Sequence, residues 1–125
     1  MKPLLSLLIG MLLGMSVFAQ KKELIQDKET ILARAAETFD ASLRPGGSLY
    51  EPVIKENLIG IYVLQVSFGD KGDITSVFVE SAEGGNIPSQ NRFKDLVAKG
   101  RMPFKMPKDR HYRLTHTFDL NAIQR

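Results

Sequence analysis

Few side chains in this sequence could support nucleophilic or metal-dependent chemistry. The chain has no cysteine, so a nucleophile would be a serine or threonine activated by His111 or His116, its two histidines. Their odd spacing on one predicted strand places the imidazoles on opposite faces, so they cannot converge on one metal ion. Because no acid, base and nucleophile converge, we predict that the chain is not an enzyme and has no metal or cofactor.

The other polar residues near these histidines have simpler interpretations. Asp70 and Asp73 lie in a glycine-containing turn without further spaced oxygen ligands, a pattern typical of turn formation rather than cation binding. His116 alternates with Leu114 and Phe118, which predicts a partly buried, hydrogen-bonded imidazole. His111 is expected to be exposed at the entrance of the same strand.

Two strands and a tight turn are predicted in the middle of the chain. Ile61–Phe68 has apolar residues at every second position, the spacing of a pleated strand with one buried face. Gly69–Asp73 then turns the chain, with Gly72 available for a positive φ angle, and a short hairpin loop with a bulge is expected. Ile74–Glu80 is rich in β-branched and aromatic residues and predicts the returning strand.

A helix, an extended crossing and a final strand are predicted next. Ser89 is expected to cap a helix that ends at Gly100. The prolines of Met102–Pro107 fix φ and remove hydrogen-bond donors, so this segment is predicted to be extended and packed. Tyr112–Leu120 alternates again and predicts the closing strand.

An amphipathic helix is predicted before the sheet. Glu23–Leu43 carries apolar residues at helical spacing, and Arg44–Gly47 ends the pattern. This helix is expected either to cover a face of the sheet or to dock on a partner or a second copy of the chain. Pro52–Asn57 is a second, very short helical candidate.

The amino terminus has the zones of a secretory signal peptide. Lys2 precedes an apolar run from Leu4 to Phe18, which small residues interrupt and which Ala19 closes. We predict cleavage after Ala19 and a periplasmic or secreted mature protein with no membrane span. An uncleaved membrane anchor is the alternative, although the apolar run is shorter than the ~20 residues of a spanning helix. The predicted organisation is a signal peptide (1–19), an amino-terminal helix and linker (20–47) and one α+β domain (48–125).

The order of elements from residue 49 to residue 120 resembles the carboxy-terminal domain of TonB and its relatives. That pattern is an aromatic-proline start, a glycine-led strand, a glycine turn, a strand, a helix, a Phe-Lys-Pro-like element and a final strand. The resemblance implies a β-β-α-β antiparallel sheet with one helix packed on it. Together with the added amino-terminal helix, this gives a predicted α+β fold. The residues that match are Tyr50 with Pro52, Gly60, Gly72, Phe93–Val97, Phe104 with Lys105 and Pro107, and Thr115–Leu120.

The resemblance also implies a non-catalytic protein-binding role. In that family the last strand has an open edge, which an extended peptide from an outer-membrane receptor can join by strand addition. The family's long proline-rich spacer and the histidine of its membrane anchor have no counterpart here, so energy transduction is not expected. The partner-binding residues predicted at the last strand and just before it are Lys108, Arg110, His111, Arg113, Thr115 and Thr117.

Charge is unevenly distributed along the chain. Residues 92–125 contain nine basic and three acidic residues, a net of +6, whereas residues 20–91 have a net of −4. The basic end could attract an acidic peptide or a phosphate-bearing surface such as lipid headgroups, or it could be an ordinary solvated face. Nucleic acid is a poor candidate, because an exported protein rarely meets it and no aromatic-interleaved motif accompanies the charge.

Two other classes of function stay open. The last strand could pair with a second copy of the chain, which would make the protein a self-associating structural module and a homodimer. A long helix followed by an antiparallel sheet is also the order of small-ligand or inhibitor domains of cystatin-like shape. The helix predicted after Ser89 interrupts the meander that such a fold requires.

Overall fold

The computed structural model describes residues 22–123 and residue 125. The fold is α+β, as predicted. The predicted signal peptide and its cleavage after Ala19 lie outside the described residues. In chain order the elements are β1 (Glu23–Leu24), α1 (Lys28–Ser42), α2 (Tyr50–Lys55), β2 (Ile61–Phe68), β3 (Ile74–Glu83), α3 (Ile87–Ala98), β4 (Phe104–Lys105), β5 (Tyr112–Asp119) and a 3-10 turn (Leu120–Ala122).

The main sheet has three antiparallel strands in the order β3-β2-β5. The pairing of β2 with β5 is continuous, from Ile61 opposite Asp119 to Phe68 opposite Tyr112. The pairing of β2 with β3 has two irregularities, one after Val63 and one after Ser67. The second lies beside the turn, where a bulge was expected.

One face of this sheet carries the hydrophobic core, and two helices cover it. The side chain of Phe39 in α1 packs between Phe68 and Phe118, with ring centroids 6.3 Å and 5.2 Å away. Phe93 in α3 packs against Tyr62 and Phe118 at 6.2 Å and 5.3 Å. The amino-terminal helix therefore covers a face of the sheet beside α3, which is the first of the two alternatives expected from its sequence.

Helix α1 begins at Lys28, five residues later than the predicted start at Glu23. The carboxylate of Asp27 accepts a hydrogen bond from the Thr30 N–H at 2.9 Å and caps the helix. Glu23–Leu24 instead pairs in parallel with β4, which the sequence did not predict. The buried stripe of the helix consists of Ile31, Ala35 and Phe39.

Helix α3 begins at Ile87 and is capped by Asn86, so the prediction that Ser89 caps it is wrong. The Asn86 carboxamide oxygen accepts from the Ser89 N–H at 2.8 Å. The Ser89 hydroxyl is buried and accepts from the Ile59 N–H at 3.2 Å, so this side chain joins the helix to the segment before β2. Strand β3 continues to Glu83, three residues beyond its predicted end.

Helix α2 spans Tyr50–Lys55 rather than the predicted Pro52–Asn57. Asn57 has a φ angle of +54°, which is incompatible with continuing the helix. The short element therefore begins and ends two residues earlier than the sequence indicated.

The crossing before β5 is extended and packed, as predicted. Met102, Phe104 and Met106 are buried along it. It is hydrogen-bonded to the β2–β3 turn, since the Met102 N–H donates to the Gly72 carbonyl at 2.7 Å and the Met106 N–H donates to the Asp70 carbonyl at 2.8 Å. The turn and the crossing thus form one hydrogen-bonded unit at this end of the sheet.

None of the helices within residues 22–123 and 125 is both long and apolar enough to cross a membrane.

Candidate functional site

Strand β5 lies at an edge of the sheet. It pairs with β2 on one side, and no other strand in the described part of the chain occupies its second side. Strand β3 is the opposite edge, but two irregularities interrupt its pairing, and bulges of this kind are a device that protects sheet edges from further pairing. The pairing of β5 has no irregularity, so β5 is the more regular of the two edges.

The register shows which backbone groups of β5 are directed to the open side. The Leu120 N–H donates to the Gly60 carbonyl at 2.9 Å, and these residues continue the β2–β5 register by one position. Opposed residues in an antiparallel pair alternate between hydrogen-bonded and non-hydrogen-bonded positions. The even-numbered residues of β5 therefore bond to β2, and the N–H and C=O groups of Arg113, Thr115 and Thr117 are directed to the open edge.

The side chains of the same three residues are exposed on the uncovered face of the sheet. They lie opposite Ser67, Gln65 and Val63 of β2 in the order Arg113, Thr115, Thr117. None of the three makes a side-chain hydrogen bond or ion pair with another residue of the described chain. Their side chains and their outer backbone groups are thus both accessible to a partner.

The other three predicted site residues lie in the segment that leads into β5. Lys108, Arg110 and His111 are exposed there, and Asp109 between them has a φ angle of +64°. His111 is exposed at the strand entrance, as predicted. The structure therefore places half of the predicted set on the strand and half in the preceding loop.

His116 attaches β5 to helix α1. Its Nε2 atom is 2.8 Å from Oδ1 of Asp40, and only 15% of its side chain is exposed. The imidazole also packs edge-on against Phe118, with ring centroids 4.9 Å apart. The prediction of a partly buried, hydrogen-bonded histidine is confirmed. Asp40 was missed because it lies 76 positions away in sequence and next to, rather than on, the buried stripe of α1.

A polar cavity of about 450 Å³ lies at the start of β5. Three basic residues from separate segments line it, namely Lys28 of α1, His111 of the loop and Arg113 of β5. No acidic residue of the described chain lines it. Lys28 could not be predicted as a site residue, because nothing in the local sequence pattern shows that the start of α1 lies beside the entrance of β5. The remaining lining residues are Ser67, Phe68, Thr75, Ser76 and Tyr112.

A second, smaller groove of about 260 Å³ lies between α1 and α3. Phe39, Leu49 and Met102 are among its apolar lining residues, and Lys99 and Arg101 also line it. Both cations are exposed and make no side-chain hydrogen bond or ion pair with the described residues. Like Lys28 and Arg113 of the polar cavity, they are exposed cations without a side-chain partner among the described residues.

Within residues 22–123 and 125, no three His, Asp or Glu side chains come together in a group that could hold a metal ion. Comparisons of the chain with protein-family models, with curated proteins and with solved structures found no match. The resemblance to the TonB carboxy-terminal domain stays a prediction from the sequence.

Proposed function

We propose that this chain is a non-catalytic protein-binding module that binds an extended segment of another protein by β-strand addition at β5. The observation that supports this most directly is the uninterrupted β2–β5 register, which leaves the outer backbone groups of Arg113, Thr115 and Thr117 available. Strand addition derives its affinity from main-chain hydrogen bonds, so a regular open edge is its principal requirement.

The packing of β5 supports this role because it fixes the edge before a partner arrives. Phe118 is buried between the two helices, and His116 is hydrogen-bonded to α1. A strand held in this way loses little conformational freedom when a ligand pairs with it, and pre-organisation of this kind increases affinity. The two threonines also favour the extended conformation that pairing requires.

The cellular compartment in which the chain binds and the class of protein that it binds are proposed from the sequence alone. The signal peptide predicted at residues 1–19 would export the chain to the periplasm or beyond it. The resemblance to the TonB carboxy-terminal domain suggests a partner such as the periplasmic segment of an outer-membrane receptor. We propose that binding occurs there, through Arg113, Thr115, Thr117 and the preceding loop.

Site-specific photo-crosslinking in cells tests this proposal. A photo-reactive amino acid at Thr117 should form a crosslink to a partner protein. Protease footprinting should then place the crosslinked segment in an extended region of that partner. The matched control places the same amino acid at Phe78, which is 62% exposed on the opposite edge strand. Capture at both positions, or at neither, would contradict binding at β5.

A proline substitution separates edge binding from folding. Thr115→Pro removes an N–H that is directed to the open edge, so it should abolish capture while the chain stays folded. Leu114→Pro removes an N–H that bonds to β2 and should unfold the sheet. Circular dichroism and amide exchange report the folded state of each variant. Partner capture by folded Thr115→Pro protein would refute the strand-addition mode.

The charges of β5 favour a second candidate, which is pairing with a second copy of the chain. Two β5 strands arranged antiparallel about His116 would oppose Arg113 to Asp119 and Thr115 to Thr117, and opposite charges in opposed positions stabilise a strand pair. Sedimentation should then show a dimer that Arg113→Asp weakens and that an added Asp119→Arg restores. A monomer at all concentrations would exclude this candidate.

A further inference from the structure

The cavity at the start of β5 combines positive charge with hydroxyl donors. Lys28, His111 and Arg113 line it together with Ser67, Thr75 and Ser76. Ammonium, imidazole, guanidinium and hydroxyl groups can all donate hydrogen bonds to an oxyanion. With no acidic residue of the described chain in the lining, the cavity matches a negatively charged group.

The basic residues of this cavity have no partner within the described residues. Lys28, His111 and Arg113 make no side-chain hydrogen bond or ion pair there. By contrast, Arg92 pairs with Glu56 at 2.7 Å, and Arg34 lies 3.5 Å from Glu23. Internal ion pairing therefore does not explain why two cations and an imidazole meet at this point.

Stabilisation of helix α1 does not explain a lysine at position 28 either. This residue is the first of α1, where the helix dipole already places partial positive charge and disfavours a cation. The hydroxyls are equally available, because Ser67, Thr75 and Ser76 make no side-chain hydrogen bond with a described residue. Ser67 and Ser76 are direct partners in the β2–β3 pairing, so they lie side by side in the lining.

We infer that this cavity is an oxyanion-binding site and that its ligand is a carboxylate carried by the strand that pairs with β5. All pairings in the main sheet are antiparallel, and a ligand that continues this pattern runs opposite to β5. Its carboxyl end then lies at the start of β5, beside the cavity. The direction and the acidic end of the ligand rest on the proposed function, whereas the oxyanion site does not.

Titration with succinate, followed by amide chemical shifts, tests the site itself. The largest shifts are expected at Ser67, Ser76 and Arg113. The double variant Lys28→Gln/Arg113→Gln should bind succinate on the order of tenfold more weakly, because it removes two charge-assisted contacts. The matched control is Lys99→Gln/Arg101→Gln, which makes the same change of charge on the other groove and should bind like the wild type.

Three results would overturn the oxyanion site. The first is that succinate shifts no amide of the cavity while the native spectrum persists. The second is that its shifts are spread over all exposed lysines and arginines. The third is that the two double variants lose affinity equally, which would indicate general attraction to a basic surface rather than a site. A parallel titration with inorganic phosphate shows whether the cavity prefers carboxylate, as inferred, or takes a free phosphate equally well, which would contradict the carboxylate assignment.

Two peptide probes test the direction of the ligand strand. Both alternate threonine and valine, and one has two aspartates at its carboxyl end while the other has them at its amino end. The first should bind more tightly, and Lys28→Gln/Arg113→Gln should remove the preference. Equal binding would refute the inferred direction. If neither peptide shifts β5 amides while succinate still occupies the cavity, the proposed strand addition fails for such ligands and the oxyanion site stands.

Discussion

The backbone at Gly72 is held in a conformation that other residues rarely adopt. Its φ angle is +86°, and a Cβ atom there would lie 2.5 Å from the Phe104 carbonyl oxygen. Both the conformation and the contact with the crossing segment therefore require glycine. Because the Gly72 carbonyl also accepts from the Met102 N–H, a shift of this turn would disturb the crossing as well.

We predict that Gly72→Ala is strongly destabilising. The left-handed conformation alone costs about 1–2 kcal/mol for a residue with a Cβ atom, and the backbone clash adds to it. The matched control is Gly46→Ala, since Gly46 has a φ angle of +93° but no atom within 4 Å of the added Cβ. Urea unfolding should show a clearly larger loss for Gly72→Ala. Equal losses in the two variants would mean that the contact with the crossing contributes nothing.

A surface ion pair gives the chain a pH-dependent contribution to stability. Arg92 donates to both carboxylate oxygens of Glu56, at 2.7 Å and 2.9 Å, and these hydrogen bonds hold the pKa of Glu56 below its ordinary value. Because the pKa is lower in the folded state, the stabilisation is fully present above the unfolded pKa of about 4.3 and is lost as pH falls through the folded pKa.

We predict that Glu56→Gln lowers stability at neutral pH and that the difference from the wild type shrinks in acid. Glu51→Gln is the matched control, an exposed acid in α2 that is replaced by the same amide. Thermal unfolding of the three proteins at about pH 7 and at about pH 3, on either side of the unfolded pKa, measures the effect. A difference for Glu56→Gln that is unchanged in acid would contradict it.

The start of helix α3 is determined by polar groups outside the hydrophobic pattern. Asn86 caps its first turn, while Ser89 inside that turn bonds to Ile59 before β2. Serine is a good cap and Ser89 precedes Phe93, so the sequence indicates a cap at Ser89. Asn86 is an equally good cap, however, and lies two positions before Pro88, a residue type that is tolerated in a first turn. Only the tertiary contact between Ser89 and Ile59 shows that Asn86, and not Ser89, is the cap.

We predict that Asn86→Ala and Ser89→Ala destabilise the chain for different reasons. Asn86→Ala removes a cap and should cost about 1 kcal/mol. Ser89→Ala leaves the Ile59 N–H without its acceptor in a partly buried position and should cost about 1–3 kcal/mol. Amide exchange distinguishes them, since Asn86→Ala should expose the first turn of α3 and Ser89→Ala should expose Ile59. Faster exchange at the same amides in both variants would contradict separate roles.

The strands could be predicted from sequence because each has one buried face. Alternation identified β2 and β5 and assigned Arg113, Thr115 and Thr117 to the exposed face. The start of α1 could not be predicted, because Ile25 continues the apolar pattern although it lies before the helix. Its side chain is buried, and its N–H donates to the Lys105 carbonyl. A single apolar residue is consistent with helix or strand, and tertiary pairing decided it.

The polar cavity could not be predicted because its lining comes from three distant parts of the chain. Lys28, Ser76 and Arg113 meet only when α1 packs on the sheet and β2 pairs with both neighbours. The sequence showed an excess of positive charge after residue 92 without showing where it would concentrate. Strand β5 was therefore predictable from periodicity and its open edge was expected from the family resemblance, whereas the candidate oxyanion site required the fold.

The residues that the structure describes share one hydrophobic core, and Phe118 lies where both helices meet the sheet. This side chain is 1% exposed and contacts Phe39 of α1 and Phe93 of α3 edge-on. The same strand that presents the open edge thus joins both helices to the sheet.

We predict that Phe118→Ala weakens α1 and α3 together. Loss of a buried phenylalanine costs about 3–5 kcal/mol, a large part of the 5–15 kcal/mol typical of a domain. Thr117→Ala is the matched control on the exposed face and should change stability by less than about 0.5 kcal/mol. Urea unfolding gives both values, and amide exchange should accelerate at Ile31 and Val97 alike. Acceleration in one helix alone would mean that the helices are stabilised independently, and the edge strand would then depend on only one of them for its position.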